Sequence, residues 1–303
     1  GARRVVAASS GKTSLYILLR ALRRLAPDRD EVILPAYTDE GLLFPCRDVV
    51  SKITLVDFPV GGYTMNGSDA ARLVTERTLA VVAVHQFGVA VDLGPLLDRA
   101  RAMGSFVLED CAQAFGGILE GRPHGVRGDG GFTSFGRGKN LAAAGGGAAW
   151  ANRRDVEEAL RDVEGELAES GESRAVVAAT LAAVAAVSRP RAYAWVRPVA
   201  RRFRAGPPTG FMKTKIGAAK AAAATAALDR MDADARTRET NARTLLDALG
   251  RVRAGSPRRP PTLVLDGRPA INRFPLWCES STQRDALRAR LQAGHVEAEV
   301  LYP

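Results

Sequence analysis

Phe106-Val107-Leu108-Glu109-Asp110-Cys111-Ala112-Gln113, then Gly131-Phe132-Thr133-Ser134-Phe135-Gly136-Arg137-Gly138-Lys139-Asn140, closed by Gly145-Gly146-Gly147, is the stretch on which the fold turns. Its first part is an apolar run ending in two carboxylates. That is the pattern of a strand buried on both faces of a parallel sheet, delivering an acid to its C-terminal edge. Open parallel sheets bind ligands along that edge, so Asp110 is a candidate site residue. The second part is a shorter apolar run leading into a turn too rich in glycine for a packed helix. Lys139 stands in the middle of that turn, on a loop beside a core strand.

Outward from this stretch, Glu31-Val32-Ile33-Leu34-Pro35, Ile53-Thr54-Leu55-Val56-Asp57 and Thr78 to His85 are further short apolar runs separated by helix-length segments. The alternation predicts parallel strands joined by crossover helices, hence an α/β sandwich with a mainly parallel sheet rather than a barrel. Leu93, Leu96, Leu97 and Ala100 form the core face of the helix before the Asp110 strand. Nearer the N-terminus, Val5 to Ala8 leads through Ser9-Ser10-Gly11-Lys12-Thr13-Ser14 into leucines at helical spacing. Ser10, Gly11 and Lys12 therefore sit at a helix N-terminus, where unpaired backbone N–H groups and the helix dipole can hold a phosphate. Gly11-Lys12-Thr13 also resembles the end of a nucleotide-binding P-loop, but that motif requires a glycine where Val6 stands.

A lysine held by a rigid scaffold beside a carboxylate from a neighbouring strand is the arrangement that holds pyridoxal phosphate as an imine, with the carboxylate keeping the pyridine nitrogen protonated. Glu109-Asp110-x-Ala112-Gln113-Ala114-x-Gly116 followed by Ser134-Phe135-x-x-x-Lys139-Asn140-Leu141 resembles the DegT/DnrJ/EryC1/StrS family of PLP-dependent aminotransferases. Weaker similarity runs through Ser10-Gly11, Pro35-Ala36-Tyr37-Thr38, Val84-His85-Gln86-Phe87-Gly88 and Leu301-Tyr302-Pro303. The resemblance implies a fold-type-I enzyme in which Lys139 forms the covalent link to the cofactor and Asp110 pairs with its ring nitrogen. It further implies that Gln113 bonds the phenolic oxygen, that Ser134 with Ser10, Gly11 and Lys12 holds the phosphate, and that Lys213 reaches the phosphate of a neighbouring subunit in a homodimer. The reaction implied moves an amino group from an amino acid to a keto substrate, most characteristically a nucleotide-linked keto sugar. The sequence departs from the family at Lys12, where threonine is usual, at Asp39, usually an aromatic ring over the cofactor, at Gly145, usually glutamate, and at Lys213, usually asparagine. Tyr37 or Phe87 is expected to cover the cofactor face in place of the missing ring.

The 303 residues and 46% hydrophobic content suit one large domain, expected over residues 1–236, and a small α+β domain over residues 237–303. Family members continue past residue 303, so residues are expected to be missing at both ends. An uncharged run from Ala175 to Ser188 precedes a basic, aromatic segment from Arg189 to Arg204, together a helical insertion over about residues 170–206. The run is too short to span a bilayer, which takes roughly 20 residues. It suits either packing on the same subunit or its partner, or peripheral contact with an anionic surface, and with the latter an aminotransferase acting on a lipid-linked or apolar substrate. A regulatory or scaffold relative without chemistry is the reading from another class. A dehydratase of the same family is disfavoured, since those replace the lysine with histidine. The net charge of +10 lacks the basic and aromatic interleaving of a nucleic-acid surface outside that one segment. Three scattered cysteines and three scattered histidines give no disulfide framework and no metal spacing, and point to a reducing cytoplasm.

Overall fold

The computed structural model describes residues 2–187, 210–250 and 267–300. In chain order the first half comprises β1 (Arg4–Ala8), α1 (Gly11–Leu25), β2 (Glu31–Pro35), α2 (Leu43–Arg47), β3 (Lys52–Val56), α3 (Gly67–Leu73), β4 (Thr78–Val84), α4 (Gly94–Met103) and β5 (Phe106–Asp110). There follow β6 (Ile118–Leu119), β7 (Arg122–Pro123), β8 (Gly130–Ser134), β9 (Gly147–Ala151), α5 (Arg154–Gly165) and α6 (Arg174–Val187). The last described elements are α7 (Ala218–Leu228), α8 (Met231–Gly250), β10 (Gly267–Arg268) and α9 (Ser281–Ala293).

Seven strands form one sheet in the order β1-β9-β8-β5-β4-β2-β3, with β5 at its centre. The β8-β5-β4-β2-β3 pairs are all parallel, while β9 runs antiparallel to both of its neighbours. Side chains alternate strictly between two cores. Val32, Leu34, Val82 and Leu108 face α1 and α5, packing with Leu15, Leu18, Leu22, Val156 and Leu160. Ile33, Val81, Ala83 and Val107 face α3 and α4, packing with Ala70, Leu96 and Ala100. Covering both faces produces the near-continuous apolar runs seen in the sequence, and the class is α/β with helices on either side of a mostly parallel sheet.

In the C-terminal part α8 runs unbroken through residues 236 and 237, because Met231 to Gly250 contains neither proline nor an internal glycine. β10 pairs with β6 in a three-stranded sheet, order β10-β6-β7, so this part of the chain joins a hairpin from the first half. The run from Ala270 to Trp277 is not a strand; Ala270 and Ile271 pack under the main body instead. Residues 216–249 hold two successive helices, α7 and α8. Thr262 to Leu265 and Arg189 to Arg204 lie outside the described residues.

Candidate active site

The C-terminal edge of the parallel strands opens into a cleft lined by Ser10, Gly11, Lys12, Asp110, Gln113, Ser134 and Lys139, together with Thr38, Asp39, Leu42, Val84, Ala112 and Phe132. Its empty volume, counted to the open mouth, is about 560 Å³. Seven of the eight site residues expected from the sequence thus line one cavity. They come from three places in the chain that converge because β1, β5 and β8 all end at the same sheet edge.

β5 carries Asp110 into the cleft floor, where it is 5% exposed and its Oδ1 accepts the Ala112 backbone N–H at 2.8 Å. Burial pushes its carboxyl above the usual range, and the nearby Lys139 charge pulls it partly back. Lys139 follows β8 in the glycine turn, with its backbone N–H bonded to Gly136 O at 3.2 Å. Gly138, Gly145 and Gly146 supply the left-handed backbone of this loop. Among the described residues the Lys139 ammonium makes no hydrogen bond or ion pair.

At the opposite wall, Ser10 caps α1: its Oγ accepts the Thr13 backbone N–H at 3.1 Å. Thr13 Oγ1 donates to Met212 O at 2.6 Å and clasps the 210–212 segment to this helix end. A Cβ on Gly11 would come within 2.8 Å of Ser134 Cβ, so only glycine lets the helix N-terminus approach β8 this closely. Lys12 Nζ reaches Gly210 O at 3.5 Å and lies 5.8 Å from the Phe44 ring centroid. The result is a cradle of helix N-terminus, Ser134 hydroxyl and Lys12 ammonium, suited to an anion.

Gln113 is held at both ends of its amide, by the Phe87 N–H on Oε1 at 3.2 Å and by Gln86 Oε1 on Nε2 at 3.0 Å. Behind Asp110 lies a second buried cluster. Glu109 accepts four hydrogen bonds, from His85 Nε2 and from the backbone N–H groups of Gly125, Arg127 and Gly128. Because His85 Nδ1 accepts the Val91 N–H at 3.1 Å, its proton sits on Nε2 and the ring is neutral. Burial pushes the Glu109 carboxyl up, but the bonds from His85, Gly128 and Gly125 outweigh it and hold the group at about 2. His124 lies 4.8 Å from His85 between ring centroids, and burial above all presses it down to about 3.

Lys213, expected at the phosphate of a neighbouring subunit, is not among the residues lining this subunit's cleft; its ammonium pairs with Asp48 at 2.8 Å and lies over the Tyr16 ring at 4.8 Å. Neither Tyr37 nor Phe87 covers the cleft. Tyr37 packs edge-on to Phe58 and Phe87 to Tyr63, while Leu42, Val84 and Phe132 supply the apolar lining. Asp39 does reach the lining, with its Oδ1 capping the turn at Gly41. Gly145 faces Lys220, whose ammonium pairs with Glu172. Gln86 falls within the weaker family similarity at Val84 to Gly88 but was assigned no role there; its further signal is an amide placed just past a strand with no charge in it. Among the described residues no group of His, Cys, Asp and Glu could hold a metal ion. Cys46, Cys111 and Cys278 are free thiols.

The chain is 37% identical over 142 residues to the UDP-N-acetyl-3-dehydro-alpha-D-glucosamine 3-aminotransferase of Acidithiobacillus ferrooxidans, covering 47% of this chain and 38% of that protein. It is 35% identical over 156 residues to the L-glutamine:scyllo-inosose aminotransferase of Streptomyces griseus, covering 52% of this chain and 36% of that one. These matches thus span little more than a third of each relative's length. In fold, the chain superposes on the crystal structure of AtS13 from Actinomadura melliaura with a TM-score of 0.76 at 23% identity, over 100% of this chain and 74% of that one. With the family pattern matched along residues 1–303, the chain belongs to the DegT/DnrJ/EryC1/StrS aminotransferase family.

Proposed function

We propose that the protein is a pyridoxal-phosphate-dependent aminotransferase that moves an amino group from an amino acid to a keto substrate, a nucleotide-linked keto sugar, acting as a homodimer in the cytoplasm. The observation that carries this reading is a buried acid and a lysine sharing one cleft with an anion cradle. The donor set fits the cofactor. Ser134, Ser10 and the α1 N-terminus would take its phosphate, Asp110 its ring nitrogen, Gln113 its phenolic oxygen and Lys139 its aldehyde carbon. When bound, the cofactor supplies an electron sink for the pair left as a proton leaves the substrate carbon. Asp110, on the buried floor of the cleft, would sustain that sink by pairing with the ring nitrogen. Lys139 Nζ would take up and return the migrating proton. The sugar acceptor is supported by the Acidithiobacillus relative, whose name specifies a nucleotide-linked sugar.

Borohydride reduction of protein loaded with pyridoxal phosphate, followed by peptide mapping, tests the reading. A pyridoxyl group on Lys139 is expected; its absence overturns the catalytic assignment in favour of a scaffold role. Amino donors that convert the bound cofactor to its amine form, and keto sugars that reverse it, then fix the substrates.

A second reading, peripheral contact with an anionic membrane surface, is favoured by α6. Its residues from Ala175 to Val187 are uncharged, yet Val176 is 64% and Val184 37% exposed. Residues 173–228 contain ten Lys and Arg and no Asp or Glu, equal to the chain's whole net charge of +10. No helix among the described residues is long and apolar enough to cross a membrane. Flotation with anionic liposomes tests this, and equal binding with and without residues 175–204 removes it.

A further inference from the structure

The turn at residues 86–88 sits where β4 ends, beside the end of β5, and Gln86 within it is fully buried. Gln86 Oε1 accepts a hydrogen bond from Gln113 Nε2 at 3.0 Å, and the Phe87 N–H donates to Gln113 Oε1 at 3.2 Å. Together these bonds assign the Gln113 amide: its oxygen faces Phe87 and its nitrogen faces Gln86. One N–H of Gln113 stays uncommitted, and Gln113 lines the cleft.

Gln86 itself gains little from this. Its Nε2 is buried with no hydrogen-bond partner among the described residues. Turning the amide over would set its nitrogen against the nitrogen of Gln113, so the orphan donor is forced by the bond Gln86 makes. A buried unpaired N–H costs about 1–3 kcal/mol. The same turn carries backbone strain, with Phe87 at φ 58, and Gly88 lies where a Cβ would meet Ala270 O at 2.2 Å. An orphan donor and a strained backbone at one turn beside the cleft are costs that a purely structural turn would not accumulate.

We propose that Gln86 is a positioning residue, whose side-chain oxygen holds the Gln113 amide so that Gln113 offers N–H rather than C=O to the phenolic oxygen of the bound cofactor. This rests on the cofactor reading above. An N–H donated to that oxygen favours its ionised form and lowers the proton affinity of the cofactor joined to Lys139. Gln86→Met keeps the length of the side chain and removes both the accepting oxygen and the idle donor.

The test is a pH titration of visible absorbance in the full-length protein reconstituted with pyridoxal phosphate. In Gln86→Met the midpoint is expected to rise by about 0.5–1 unit and the cofactor dissociation constant by about three- to tenfold. The melting temperature of the cofactor-free variant should stay within a few degrees of wild type. Gln113→Leu should show at least the same shift, and adding Gln86→Met to it should produce no further one. Equal shifts in the two backgrounds would make Gln86 merely structural and overturn the inference, as would an unshifted Gln113→Leu, which reads out independently of whether Gln86→Met folds. An unchanged Gln86→Met titration overturns the positioning role while the cofactor reading stands. Failure of the wild-type protein to acquire visible absorbance at all overturns that reading, and this inference with it.

Discussion

Asp110 shows at the residue scale how function and stability oppose each other. Its carboxyl is buried and pushed above its ordinary 3.8, so the folded state keeps a proton over a pH range where the unfolded chain has lost it. Stability therefore falls as pH rises through that window. Asp110→Asn retains an oxygen for the Ala112 N–H and deletes the buried charge. The cofactor-free variant is expected to melt no lower than wild type at neutral pH, while transamination falls by about 10²-fold or more, as loss of a charge opposite the ring nitrogen implies. Gly11 gives the converse case. Gly11→Ala drives a methyl group to 2.8 Å from Ser134 Cβ and should cost about 1–3 kcal/mol in denaturant unfolding. It should also weaken phosphate binding, since the helix end must retreat from β8.

Between β4, β5 and the 124–128 loop, the elements are joined through one carboxylate. Glu109 has all four bonds supplied by His85 and backbone N–H groups, so Glu109→Gln turns an NH₂ group against donors. A loss of about 2–4 kcal/mol in urea unfolding is expected. The same cluster predicts acid sensitivity. His124, lowered from 6.5 to about 3, stays neutral in the folded protein while the unfolded chain binds a proton, so stability drops as pH falls below 6.5. Glu109, lowered from 4.5 to about 2, adds to the loss only below 4.5. Unfolding free energies from urea titrations at pH 6.5 and 5 should differ by up to about 2 kcal/mol, and His124→Gln should flatten that difference.

For the whole molecule, the positive charge is concentrated in one region. Residues 173–228 carry an excess that equals the chain's +10, which leaves the rest neutral. If α6 is the apolar part of a lipid-facing surface, Val176→Glu should weaken liposome binding and change the unfolding free energy by less than about 1 kcal/mol, as for exposed positions. Wild-type binding should also weaken as salt rises. Sequence periodicity was enough for the layered α/β class, because a strand covered on both faces must be apolar throughout. The two motifs likewise gave Asp110, Gln113, Ser134 and Lys139, because the cleft is built from short segments directly after strands, where spacing along the chain becomes spacing along one sheet edge. Tyr37 and Phe87 were not legible in this way. Their rings are planar, and Phe58 and Tyr63, both remote from them in sequence, decide where they point. The sequence by itself determined the order of layers and which residues meet at the edge of the sheet, since both follow from local pattern and chain direction. Only the tertiary structure decided that β9 runs against its neighbours, that β10 joins a hairpin from the first half, and that Gln86 gives up its own hydrogen bond to orient Gln113, since each depends on contacts between segments that share no local signal.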